Sequence, residues 1–108
     1  MPEKDVRKYL PLTETTYYIL LALIEPLHGY GVMQKVEALS EGTVSIGPGT
    51  LYGAFANLEK EGLIVMVREE ERRKSYALTE GGRRLLAEQI HRLEIMAHRG
   101  QELIDTLR

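Results

Sequence analysis

The sequence predicts a mainly α, α+β fold: a helix–turn–helix, a charged two-stranded hairpin and a long terminal helix. Three observations predict it. In Gly47 to Ile64, GPGTLYGAFANLEKEGLI, the residues Leu51, Phe55, Leu58 and Gly62 recur on one helical face. Directly after it, Ile64 to Arg68 reads as a strand rich in β-branched and apolar residues and Lys74 to Leu78 as its return partner, around a charged tip, Glu69-Glu70-Glu71-Arg72-Arg73. Finally Leu86, Ile90, Leu93, Ala97, Gly100, Ile104 and Leu107 keep a 4-3-4-3-4-3 spacing without a break.

Each element has a local cause. Residues 1–12 are polar and end in Tyr9-Leu10-Pro11-Leu12, which reads as a short helix or arm. Thr13 is a good N-cap, with Glu14 in the first turn. The helix it opens is apolar all round from Tyr17 to Ile24, as expected of a central buried helix. Pro26 and Gly29 bracket the next turn. A second amphipathic helix follows over Gly29 to Ser40, with Val32, Val36 and Leu39 on its inner face. A connector, Glu41 to Gly47, leads to the helix at Pro48, a residue suited to a first helical position. Gly62 suits the stop, and Thr79 caps the last helix from Glu80. Run to Arg108, that helix is about 40 Å long at 1.5 Å per residue.

Helix, turn, helix and hairpin in that order form a winged helix. LHGYG (Leu27 to Gly31), GTLYGA (Gly49 to Ala54), LEKEGLI (Leu58 to Ile64) and RRKSYALTEGG (Arg72 to Gly82) together resemble the PadR family of bacterial transcriptional regulators. The resemblance runs from about Tyr9 to Leu86 and corresponds to the short form of the family, with a single C-terminal dimerisation helix. It implies residues 1–79 as arm and DNA-binding domain and 80–108 as dimerisation helix, in one compact unit. Two positions depart from the family pattern. Proline is common in relatives where this chain has Gly53, and a basic residue where it has Asn57.

Composition narrows the function classes. One domain is expected from 108 residues, and the absence of cysteine excludes disulfides and thiolate metal sites. The longest apolar run, Tyr17 to Ile24, is eight residues, far short of a membrane span, so a cytoplasmic protein is expected. Net charge is −2, but its distribution is uneven. Residues 68–84 hold six Lys/Arg against four Asp/Glu, whereas residues 1–67 hold five against eight. The positive section is the hairpin and the start of the last helix, which suits phosphate contact.

The candidate residues fall into three groups. Thr50, Gly53, Asn57 and Lys60 lie on the outer face of the helix at Pro48. There Thr50 and Asn57 are expected to reach base edges, Gly53 to allow close approach, and Tyr52 and Lys60 to touch phosphates. Arg72, Arg73 and Lys74 would grip the DNA backbone from the hairpin, although the preceding glutamates oppose phosphate. The seam Leu86, Ile90, Leu93, Ala97, Gly100, Ile104 and Leu107 is expected to make a homodimer. Tyr9, Tyr17, Tyr18 and Met96 would line an aromatic effector cavity between subunits. The resemblance implies this, since short-form relatives include exporter regulators that hold flat aromatic compounds there. Glu88-x-x-His91 and Glu94-x-x-x-His98 read as a solvated helix face, so no metal or cofactor is expected. With no nucleophile elbow or phosphate loop, an enzyme is not expected. The expected activity is repression at an inverted-repeat operator on double-stranded DNA. The competing reading is a protein-interaction or ligand-sensing module without DNA binding.

Overall fold

Thr13 opens the first long helix as its sequence demands. Its hydroxyl oxygen accepts from the Thr16 N–H at 3.1 Å, and α1 runs over Glu14–Ala22. The structure is a computed structural model that describes residues 5–108, so the first four residues of the arm lie outside the described residues. Ahead of α1, Val6–Tyr9 forms one turn of 3₁₀ helix that buries Val6. Ile19, Leu20, Ala22 and Leu23 are fully buried at the centre of the core. The apolar run is not buried all round, however: α1 stops at Ala22, and Ile24 is 55% exposed.

The segment expected to be a plain turn holds a short strand, β1 (Leu27–His28), which passes directly into α2 (Gly29–Leu39). Val32 and Val36 bury as expected, while Leu39 is 42% exposed. The last turn explains the difference. Gly42 N–H bonds Glu37 C=O and Glu41 N–H bonds Ala38 C=O, a Schellman ending in which Glu41 and Gly42 have positive φ. Leu39 is the last helical residue, in the turn that this closure ends, and its side chain stays at the surface. Ser40 is buried; its hydroxyl oxygen accepts from Val44 N–H at 3.0 Å, and Thr43 Oγ1 donates to Ser40 C=O at 2.8 Å. The first part of the connector to α3 is therefore tied to the end of α2 by hydrogen bonds.

The third helix, α3 (Pro48–Lys60), buries Leu51, Phe55 and Leu58. It ends in a second Schellman motif, with Gly62 at φ 75° and Leu63 N–H bonded to Leu58 C=O at 2.9 Å. Then come β2 (Ile64–Glu70) and β3 (Arg73–Leu78). The sheet is antiparallel with order β1-β3-β2, so β3 is central. The hairpin tip is shorter than the sequence suggests. Glu69 pairs with Lys74 and Glu70 with Arg73, leaving only Glu71 and Arg72 in the turn. Both have positive φ, 49° and 69°, as the type I′ turn of a two-residue hairpin requires.

The fourth helix, α4 (Glu80–Asp105), divides into two halves. Leu85, Leu86 and Gln89 are buried in the domain, and Gln89 Oε1 accepts from Leu12 N–H at 3.0 Å. Leu86, expected in the intersubunit seam, is therefore occupied by its own core. Beyond Ile90 the helix projects: Met96 is 65% exposed, Leu103 69% and Leu107 79%. Among the described residues no helix is long and apolar enough to cross a membrane.

Candidate nucleic-acid interface

Anchoring α3 through Leu51, Phe55 and Leu58 turns Thr50, Gly53, Asn57 and Lys60 outward, and all four are exposed. A Cβ built on Gly47, Gly49 or Gly53 would meet nothing within 4 Å. No neighbour within the protomer therefore requires glycine there. A helix-interior glycine costs about 1 kcal/mol relative to alanine. What it provides at Gly53 is a bare patch of backbone.

The four helices begin differently. In α1 and α4 a threonine side chain caps the first turn, whereas α2 begins at His28 and α3 at Gly47 with no side-chain cap bond. Free N–H groups at a helix start carry partial positive charge and suit an anion. The start of α2 opens into a cavity of about 410 Å³ lined by residues including Tyr30, Tyr52, Arg72, Arg73 and Lys74. Tyr52 leans across it. A Cβ on Gly29 would come within 2.6 Å of the Tyr52 hydroxyl, so glycine is required for this approach. Tyr52 also meets Phe55 edge-on, with ring centroids 6.1 Å apart.

The structure thus gathers the hairpin cations and Tyr52 around the start of α2, and sets Thr50, Gly53, Asn57 and Lys60 on the outer face of α3. Sequence reasoning places the helix start at Gly29 but does not single out His28, Gly29 and Tyr30 as site residues, because the approach of Tyr52 and the wing cations to that start depends on distant parts of the chain. The wing cations are partly balanced: Lys74 faces Glu69 and Arg73 faces Glu70 across the strands. Arg72, in the turn, has no such cross-strand carboxylate.

The aromatic group is more dispersed. Tyr17 and Tyr18 meet edge-on at 5.3 Å and are half-buried. Partial burial, with Tyr18 nearby, pushes the Tyr17 hydroxyl pKa above its ordinary value. The Tyr9 hydroxyl donates to Glu61 Oε1 at 2.6 Å. These three pack against the core, whereas Met96 stands on the projecting half of α4. His98 Nε2 lies 3.7 Å from Glu102 Oε2 on an exposed face. No metal-binding cluster occurs among the described residues.

Residues 19–88 match the family described as "Transcriptional regulator PadR-like family". The transcriptional regulator YqjI of Escherichia coli is 33% identical over 72 residues, which are 67% of this chain and 35% of YqjI. A 37.1 kDa protein in transposon TN4556 of Streptomyces fradiae is 38% identical over 82 residues, 75% of this chain and 23% of that protein. The chain therefore spans about a quarter to a third of the length of these curated relatives. Among solved structures, a transcriptional regulator from Clostridium thermocellum superposes with a TM-score of 0.69 at 28% identity, covering 90% of this chain and 94% of that one.

Proposed function

Because the chain belongs to the PadR-like family of transcriptional regulators, which are not enzymes, we propose that it binds double-stranded DNA as a homodimer and represses transcription from an inverted-repeat operator. One observation carries this reading. The outward face of α3 is bare backbone at Gly53, with open space where a side chain would stand. A helix that enters the major groove benefits from such a face, because the groove floor can be approached closely. Thr50 and Asn57 then read base edges, Asn57 through its paired amide donor and acceptor. Lys60 and the uncapped starts of α2 and α3 take phosphates, with Arg72, Arg73, Lys74 and Tyr52 around the first of these. The exposed Ala97, Gly100, Ile104 and Leu107, together with the half-buried Ile90 and Leu93, form the subunit seam. An aromatic effector held by Tyr9, Tyr17, Tyr18 and Met96 across that seam relieves repression by changing the angle between subunits.

The test is a fluorescence-anisotropy titration on duplex DNA at several salt concentrations, with wild type and Gly53→Leu. Wild type should bind with a steep salt dependence, and Gly53→Leu should fold normally yet bind at least a hundredfold more weakly. Equal binding by both proteins would mean that the wrong face has been assigned. The second reading, a protein-interaction or ligand-sensing module, draws on the cross-strand carboxylates at Glu69 and Glu70, which reduce the field of the wing. Its signature is a folded wild-type dimer with no salt-dependent DNA affinity.

A further inference from the structure

The wing has a second face that the proposed DNA contact leaves out. Tyr76 packs on Phe55 with ring centroids 4.8 Å apart, so its face of the sheet looks at α3. Ser75, the neighbouring residue in β3, points to the opposite face. The register sets Ser75 between His28 of β1 and Arg68 of β2, and directly paired residues share a face. Arg73 and its partner Glu70 continue that face towards the turn. A cavity of about 620 Å³ opens there, lined by His28, Arg68, Glu70, Glu71, Arg73 and Ser75.

Two details mark it as more than a charged surface. Ser75 is only 9% exposed, and its hydroxyl has no hydrogen-bond partner among the described residues. No fully buried polar side-chain atom lacks a partner there, so this hydroxyl must reach the cavity. Arg68 is also held loosely, with Nε 3.8 Å from Glu70 Oε1 and more than half of its side chain exposed. A hydroxyl, an imidazole and guanidinium groups make a donor set for a carboxylate. Glu70 and Glu71 at the tip end would repel a simple anion but attract a cationic group on the same ligand.

The geometry points to a binding site for a small zwitterion of the amino-acid class on this outer face of the wing. Its carboxylate is taken by Ser75, Arg68, Arg73 and His28, and its ammonium group by Glu70 and Glu71. The site is coupled to the opposite face, because His28 and Arg73 line both cavities. If the DNA-binding reading holds, an occupied site draws Arg73 outward and weakens DNA binding.

The experiment uses ω-amino acids from glycine to 6-aminohexanoate, which carry the two charges at increasing separation, with acetate and methylammonium as single-charge controls. Amide and side-chain NMR shifts of the full chain are followed without DNA, in wild type, Ser75→Val and Arg68→Met. Saturable shifts at His28, Arg68 and Ser75 should appear for a preferred chain length. Either substitution should weaken binding at least fivefold, and acetate should bind at least tenfold more weakly. Small unsaturable shifts of similar size for every probe, or saturation unchanged in both variants, would overturn the site. A separate DNA titration with the preferred probe should show a severalfold loss of affinity. Zwitterion binding without that loss, in a protein that does bind DNA, would keep the site and overturn the coupling. A protein that never binds DNA would fail the earlier reading and leave the NMR result standing.

Discussion

Replacing Leu93 and Ile104 by glutamate tests the homodimer where α4 has left its own domain. Leu93 is half-buried and Ile104 is 48% exposed in the isolated chain. Burying a leucine or isoleucine completely is worth about 1.5–3 kcal/mol, so association gains roughly 1 kcal/mol at each position. A twofold interface uses each position twice, giving a loss of about 4 kcal/mol from apolar contact alone. At 1.4 kcal/mol per factor of ten, the dimer should weaken by roughly three orders of magnitude. Carboxylates confined in an apolar seam add to this. Sedimentation equilibrium should therefore find monomers at concentrations where wild type is dimeric. The orientation can be read separately. In an antiparallel pair centred between Ala97 and Gly100, Leu93 meets Ile104, Ile90 meets Leu107, and Arg92 faces Asp105 with opposite charge. Gly100 has open space around its absent Cβ, so it allows close helix approach at that centre. Since the chain has no cysteine, Leu93→Cys combined with Ile104→Cys should oxidise to a covalent dimer, and neither single variant should. An unchanged dimer in the glutamate variant would refute the seam. Cross-linking by a single cysteine variant would refute the antiparallel orientation.

Four further outcomes are expected. Arg72→Ala should flatten the log–log salt dependence of DNA binding by about one unit per wing, and Arg73→Ala by less, because Glu70 already opposes it. Asn57→Ala should relax base preference at one position per half-site by about 1–3 kcal/mol while leaving non-specific affinity nearly intact, as binding selection from a random DNA library would report. Ser40→Ala removes a buried hydroxyl that accepts from Val44 N–H, so urea unfolding should reveal a loss of about 1–3 kcal/mol. Glu71→Asn puts a residue tolerant of positive φ in the hairpin turn, where φ is 49°; it should stabilise by about 1 kcal/mol and raise the melting temperature by roughly 4–8 °C.

How much was legible in the sequence depended on whether a feature had a local cause. Thr13, Pro48, Gly62 and Thr79 each carry their own capping chemistry, and the helix boundaries fall beside them. Strand β1 has no such signal. Two residues between Pro26 and Gly29 become a strand only because Leu27 and His28 find Tyr76 and Ser75, far away in the chain. The wing turn was hidden for the opposite reason: a two-residue type I′ turn usually announces itself by Asn-Gly, and here Glu71 and Arg72 hold the positive φ. The heptad could not separate Leu86, buried in its own core, from Ile104, which is half exposed. Spacing reports a face and is silent about what covers it. In the candidate interface, Gly53 was legible as a helical glycine, but the open space at Gly47 and Gly49 and the uncapped start of α2 needed coordinates.

The proposed repressor also needs a path by which a changed subunit angle reaches α3, and the junction with α4 supplies one. Thr79 N–H bonds Leu63 C=O at 3.1 Å, and Thr79 Oγ1 donates to Gly62 C=O at 2.6 Å while accepting from Gly82 N–H at 3.1 Å. One threonine thus caps α4 and holds the Schellman ending of α3. Gly82 closes the contact, since a Cβ there would collide with the Leu63 carbonyl oxygen. Backbone lies against backbone at this junction, with no flexible side chain between the start of α4 and the end of α3. At the other end, Ser40 ties the start of the connector to α2. A rotation of α4 at the proposed subunit seam would reach α3 through this junction, which suits a regulator whose operator half-sites require a fixed separation.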